Sequence, residues 1–143
     1  MARIWILDQK TELRTLLEYL ARQMGHEVFS FPFLKEARHA LRDVMLGKGE
    51  MPDLIISDRC LKDGMSDAWL CYVKRKFSEI RVVCFSSELD DLIIKKFQKQ
   101  GIICLNKLAT LGDILEVFRS LDSRGWQGNE IRLEFEAPYD LAL

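Results

Sequence analysis

Short continuous apolar runs alternate along this chain with longer stretches whose apolar residues recur at helical spacing, and that rhythm limits the folds open to it. The runs are Ile4-Trp5-Ile6-Leu7, Val28 to Phe31, Leu54-Ile55-Ile56, Val82-Val83-Cys84-Phe85 and Ile102-Ile103-Cys104-Leu105. The spacing between and after them predicts five helices. Their inner stripes are Leu13, Leu16, Leu17, Leu20 and Met24; Ala37, Ala40, Leu41, Val44 and Met45; Leu70, Val73 and Phe77; Leu89, Leu92, Ile93 and Phe97; and Leu111, Ile114, Leu115, Phe118 and Leu121. Gly25, Lys48-Gly49 with Pro52, and Gly101 punctuate the pattern as turn signals, and a polar loop is expected around Lys62-Asp63-Gly64. A run such as Leu54-Ile55-Ile56 does not alternate with polar residues, which suits a strand covered by helices on both faces of a parallel sheet. Five strand-helix units joined by right-handed crossovers predict an α/β fold, a doubly wound five-stranded parallel sheet. Ligands bind such a sheet beyond the carboxyl ends of its strands.

Composition narrows the function classes. The 143 residues are 48% hydrophobic, enough for one domain with a buried core and too few for two. With 21 basic against 22 acidic residues, no positive excess points to nucleic acid or to an anionic membrane. The opening Met1-Ala2-Arg3 leads into an apolar stretch too short for a signal-peptide core or a membrane span, so the expectation is a soluble, cytoplasmic protein. Cys60, Cys71, Cys84 and Cys104 form no CxxC pair and have no histidine cluster beside them; Cys71, Cys84 and Cys104 read as small buried hydrophobes in a reducing compartment and Cys60 as a loop thiol. His26 and His39 show no partner in the sequence.

Just beyond the runs stand Asp8, Asp58, Ser86 and Lys107, from the first, third, fourth and fifth strands, Asp58 directly after Ser57 and Lys107 directly after Asn106. Beyond the strand ends they should converge on one crevice. Two carboxylates, a hydroxyl and an ammonium suit phosphoryl transfer to a side chain: one carboxylate attacks, a divalent cation screens the oxygens, and Lys and Ser hold the transferred group. An aspartate after a strand is often only a turn or capping residue, and the weight lies in four suitable residues at four strand ends. An aspartate-nucleophile phosphatase would place a second acid where Lys10 stands, and no GxGxxG follows the first strand to bind a dinucleotide.

In these residues the chain resembles the receiver domain of bacterial two-component response regulators, over residues 1 to about 121. Ile6-Leu7-Asp8-Gln9-Lys10 resembles the acidic motif after the first strand, and Pro52-Asp53-Leu54-Ile55-Ile56-Ser57-Asp58 the segment ending at the phosphoacceptor. Phe85-Ser86-Ser87 and Leu105-Asn106-Lys107-Leu108 are similar to the strand-four and strand-five motifs. The resemblance implies a flavodoxin-like CheY fold with strand order 2-1-3-4-5. It further implies that Asp58 is the phosphoacceptor, Ser86 the switch hydroxyl and Lys107 the phosphoryl-binding lysine. Magnesium would be held by Asp8, Asp58 and the backbone carbonyl of Cys60. A sensor histidine kinase or phosphotransfer protein would be the phosphodonor and a downstream effector protein the target, with no direct nucleic-acid or membrane partner. Such a protein is a signalling module and not an enzyme.

The departures from the family pattern are specific. Gln9 stands where a second acid is usual, making it a weak or absent ligand and magnesium weakly bound. Leu108 replaces a proline, Lys62 stands where a proline is common, and Cys104 takes the place of the aromatic whose rotation reports phosphorylation. Lys10 either offsets the local negative charge or is a solvated surface lysine. Cys60 and Glu88, two residues beyond Asp58 and Ser86, occupy positions where the family tunes access of water to the acyl phosphate. Two functions fit: a stand-alone receiver that accepts a phosphoryl group on Asp58 and signals by protein-protein contact, or a phosphorylation-independent pseudo-receiver acting as an interaction module. Residues 122–143 form an extension too short for an output domain. Within it Ile131-Arg132-Leu133-Glu134-Phe135-Glu136 alternates as a strand does, to pack on its own domain or to add to a partner or a second copy as a homodimer.

Overall fold

The computed structural model describes residues 1–107 and 111–121. Its elements are β1 (Arg3–Leu7), α1 (Thr11–Gln23), β2 (Glu27–Phe31), α2 (Leu34–Met45), β3 (Leu54–Ser57), β4 (Cys60–Leu61), β5 (Gly64–Met65), α3 (Asp67–Lys76), β6 (Arg81–Ser86), α4 (Asp91–Lys99), β7 (Ile103–Asn106) and α5 (Leu111–Ser120). The five long strands run parallel in the order β2-β1-β3-β6-β7. Counted without the two short strands, this is the expected 2-1-3-4-5. The expected polar loop around Lys62-Asp63-Gly64 holds a small antiparallel hairpin, β4-β5, between β3 and α3, with Lys62 and Asp63 at its turn.

The continuous apolar runs are explained by two cores, one on each face of the sheet. Ile4 and Ile6, Leu54 and Ile56, and Val83 and Phe85 point into the layer filled by α1 and α5. Trp5, Leu7, Ile55, Val82 and Cys84 point into the layer under α2, α3 and α4. The helical stripes are narrower than the sequence spacing suggests. Leu16, Met45 and Leu92 are exposed, Leu92 by 79%, whereas Ala21, Leu34, Trp69 and Val117 are buried. One helix can bury only the arc that faces the sheet, and these three leucine and methionine residues lie beyond it. No helix among the described residues is long and apolar enough to cross a membrane.

Two fastenings were not legible in the sequence. Phe33 precedes α2 without supplying a side-chain cap, and the Asp63 carboxylate from the hairpin turn takes its place. It accepts from Leu34 N–H at 2.7 Å and Lys35 N–H at 2.9 Å. Slight burial works against the Asp63 charge, but these backbone donors outweigh it and hold the carboxyl below its ordinary pKa.

His26 is the second. Gly25, in the left-handed region at φ 88°, ends α1 with its N–H on Arg22 O, while His26 N–H returns to Ala21 O, which is a Schellman stop. The His26 ring is thereby buried, with Nδ1 accepting from Ala2 N–H at 3.1 Å and Nε2 3.0 Å from Phe118 O. His39, by contrast, is exposed. The His26→Leu variant keeps a similar volume but strands a buried N–H and a buried C=O. We expect it to lose about 2–4 kcal/mol in urea unfolding; a loss within about 0.5 kcal/mol would mean that the ring only fills space.

Candidate functional site

The parallel register aligns Leu7 with Ser57, so the next residue of each strand, Asp8 and Asp58, emerges at the same level. Asp58 N–H donates to Leu7 O at 2.9 Å and Asp8 N–H to Phe31 O at 3.1 Å, so both backbones remain held by the sheet where the side chains begin. Both aspartates are buried. Asp8 Oδ1 accepts from Lys10 N–H at 2.9 Å, and Arg14 reaches the Asp8 carbonyl at 2.8 Å, closing the β1-α1 turn. Ser57 and Ser66 hydroxyls donate to the Asp58 carbonyl at 2.8 and 2.6 Å, fixing the start of the loop after β3.

Lys107 arrives from β7, its N–H donating to Ser86 O at 3.1 Å. Its ammonium lies 2.6 Å from Asp58 Oδ2, as a hydrogen bond, and 2.8 Å from Asp8 Oδ2, as an ion pair not aligned for one. Burial works against the Lys107 charge, but hydrogen bonding to Asp58 and the adjacent Asp8 carboxylate outweigh it and raise its pKa. Asp8 Oδ2 is thus a buried oxygen with no hydrogen bond. Ser86 is buried at the end of β6, its Oγ accepting from Glu88 N–H at 3.1 Å.

The structure brings Asp8, Asp58 and Lys107 into direct contact and joins Ser86 to them through the Lys107 backbone. Gln9 is half-buried and Lys10 exposed; Lys10 touches the site through its backbone N–H. Cys60 N–H stands 3.5 Å from Asp58 Oδ1, the outer limit of a hydrogen bond. Leu108 and residues 122–143 lie outside the described residues.

Sequence reasoning missed Arg59. Its guanidinium forks onto Asp67 at the start of α3, with Nη2 2.9 Å from Oδ2, and Nη1 donates to the Glu88 carbonyl at 2.5 Å. The residue after Asp58 therefore ties α3 to the loop after Ser86. Only its place next to Asp58 in the sequence could have drawn notice. Burial pushes the Cys84 thiol far up and that of its register partner Cys104 up to about 12, away from the thiolate form.

The donor set fits a divalent cation in part. Two buried carboxylates lie side by side and one of their oxygens lacks a hydrogen bond, but the neutral Gln9 follows Asp8 and Lys107 already neutralises one of the two charges. Among the described residues no group of three or more His, Cys, Asp or Glu side chains could hold a metal ion.

Neither a protein-family model nor a curated protein matches the chain. Solved structures do. The non-phosphorylated HemR receiver domain from Leptospira biflexa superposes with a TM-score of 0.75 at 16% identity, over 88% of this chain and 98% of that one. A CheY-like response regulator receiver domain protein from Methanospirillum hungatei JF-1 gives 0.72 at 18% identity, over 94% and 98%. The Mn(2+)-bound form of response regulator Rcp1 gives 0.69 at 17%, over 87% and 94%. At such identities the likeness speaks for the fold: this chain has the fold of the CheY-like receiver domains of response regulators.

Proposed function

We propose that the chain is a stand-alone signalling receiver, with residues 1–121 as the receiver unit and 122–143 as an extension, and that Asp58 accepts a phosphoryl group. The observation that supports this most is the meeting of Asp8, Asp58 and Lys107, which joins a buried carboxylate nucleophile, a second carboxylate and a fixed cation at the carboxyl end of the sheet. An Asp58 carboxylate oxygen attacks the donor's phosphorus. The new O–P bond forms as the P–N or P–O bond to the donor breaks, its electron pair leaving with the donor. Lys107 then turns from the carboxylate toward a phosphoryl oxygen, and the Ser86 hydroxyl donates to another. Bound at Asp8, Asp58 and the Cys60 carbonyl, a divalent cation such as magnesium would screen the negative charge that gathers as the oxygens approach.

The phosphodonor in this reading is a sensor histidine kinase or phosphotransfer protein, and the output is contact with an effector protein. Arg59 gives that output a route, because displacing Ser86 toward a phosphoryl group pulls on Glu88, whose carbonyl Arg59 holds against α3. A second reading, the pseudo-receiver, is favoured by the Lys107 bridge, which compensates the crevice without any metal.

Incubation with a small acyl phosphate or a cognate kinase, with magnesium present, should add one phosphoryl group to Asp58, and Asp58→Asn should abolish it. Mass mapping of a modification elsewhere, untouched by that substitution, sinks the assignment; no modification with any donor favours the pseudo-receiver. The Gln9→Asp variant adds an anionic donor beside Asp8, and calorimetric titration should show magnesium binding tightened on the order of tenfold, with faster phosphorylation of Asp58. An unchanged metal affinity in the folded variant would refute the account of a weakened site.

A further inference from the structure

The outer edge of the sheet at β2 is built in a way that β-sheet proteins normally avoid. Its five residues, Glu27–Phe31, include no lysine, proline or bulge, and Phe29 is 48% exposed. Glu27 N–H donates to Ala2 O and Phe31 O accepts from Asp8 N–H, so the alternation of a parallel ladder turns Glu27, Phe29 and Phe31 toward β1 and points the N–H and C=O of Val28 and Ser30 outward. Among the described residues, only Val28 O of these four groups is engaged, by Arg22 at 3.3 Å. On the α2 side, the edge opens into a groove of about 500 Å³ with an aromatic floor of Trp5, Phe29 and Phe31. The Trp5 and Phe31 rings meet edge to face at 5.5 Å.

The helix that ends the described residues finishes beside this edge. Phe118 in the last turns of α5 is bound to His26, the residue directly before β2. From Leu121 to Glu130 the chain can span roughly 30 Å, while the width of α1, which it must pass, is about 10–12 Å. Beyond Glu130 comes the alternating segment of Ile131, Leu133 and Phe135.

We propose that residues 130–135 add to the β2 edge as a sixth, parallel strand, starting from the end where α5 leaves the sheet. Charge selects the register. On the α1 side of the edge Arg22 lies at Val28 and Glu18 at Ser30, the two being an ion pair at 3.6 Å. Glu130 beside Val28 and Arg132 beside Ser30 give each an opposite charge. The same register sets Ile131 on Phe29, Leu133 on Phe31 and Phe135 near Phe33, which is itself exposed. The strand satisfies the outward Val28 and Ser30 groups and covers the aromatic floor. This holds whether or not Asp58 is phosphorylated.

Amide exchange on the intact chain tests it. The Val28 and Ser30 N–H groups should exchange at least tenfold more slowly than unstructured amides, and Leu133→Asp and Phe29→Asp should each abolish that protection while the amides of β3 stay protected. Val28 and Ser30 exchanging at unstructured rates in the wild-type chain would overturn the proposal, as would protection that survives Leu133→Asp. Protection lost on dilution, in step with dissociation of a dimer measured by sedimentation, would assign the groove to a second copy and overturn it equally.

Discussion

Pairing of β1 with β3 through the middle of the sheet forces two aspartates together, and much of the molecule answers that constraint. Side by side at the buried end of a parallel sheet, two carboxylates repel each other in a medium that screens them poorly. Lys107 relieves the repulsion from the far end of β7, 49 residues from Asp58 in the chain. A sheet edge, two β-α turns and the loop after β3 all end on the geometry of this one triad. Its electrostatics are therefore a property of the fold, since moving any of the three strands separates charges that are costly to leave unpaired.

The scaffold was legible because burial on both faces writes itself into composition. Runs such as Ile4-Trp5-Ile6-Leu7 carry no polar break, and five of them fix five strands and their order of use. Asp8 and Ser86 could be read because each is the first polar residue after such a run, and Asp58 and Lys107 because each comes one residue later, after Ser57 and Asn106. Two kinds of information were not legible. The outer limit of a helical stripe depends on where neighbouring elements stand, so Leu16, Met45 and Leu92 looked like core and are exposed. Long-range polar contacts leave no periodic trace: Asp63 capping α2, Arg59 clamping Asp67 to Glu88, and His26 joining Ala2 to Phe118 each use a residue whose neighbours in sequence say nothing about its partner.

The loop after Asp58 is held at three points, each by different chemistry. Ser66 anchors its beginning through the Asp58 carbonyl, Asp63 fastens its tip to α2, and Arg59 braces its base against the β6-α4 connection. A short hairpin pinned in this way behaves as a small rigid body. The residues that follow Asp58 are thereby joined at once to α2, to α3 and to the β6-α4 connection.

The link from Ala2 through His26 to Phe118 bears on how the chain comes together. It joins a residue at the start of β1 to one 92 positions beyond His26, and the layer it closes is filled by Ile114, Val117 and Phe118. During synthesis β1, β2, β3, β6 and α1 all emerge before the helix that covers their shared face. Until α5 arrives, the part of that apolar face that Ile114, Val117 and Phe118 cover stands open on the growing chain, and transiently exposed apolar surface of this kind is prone to aggregation.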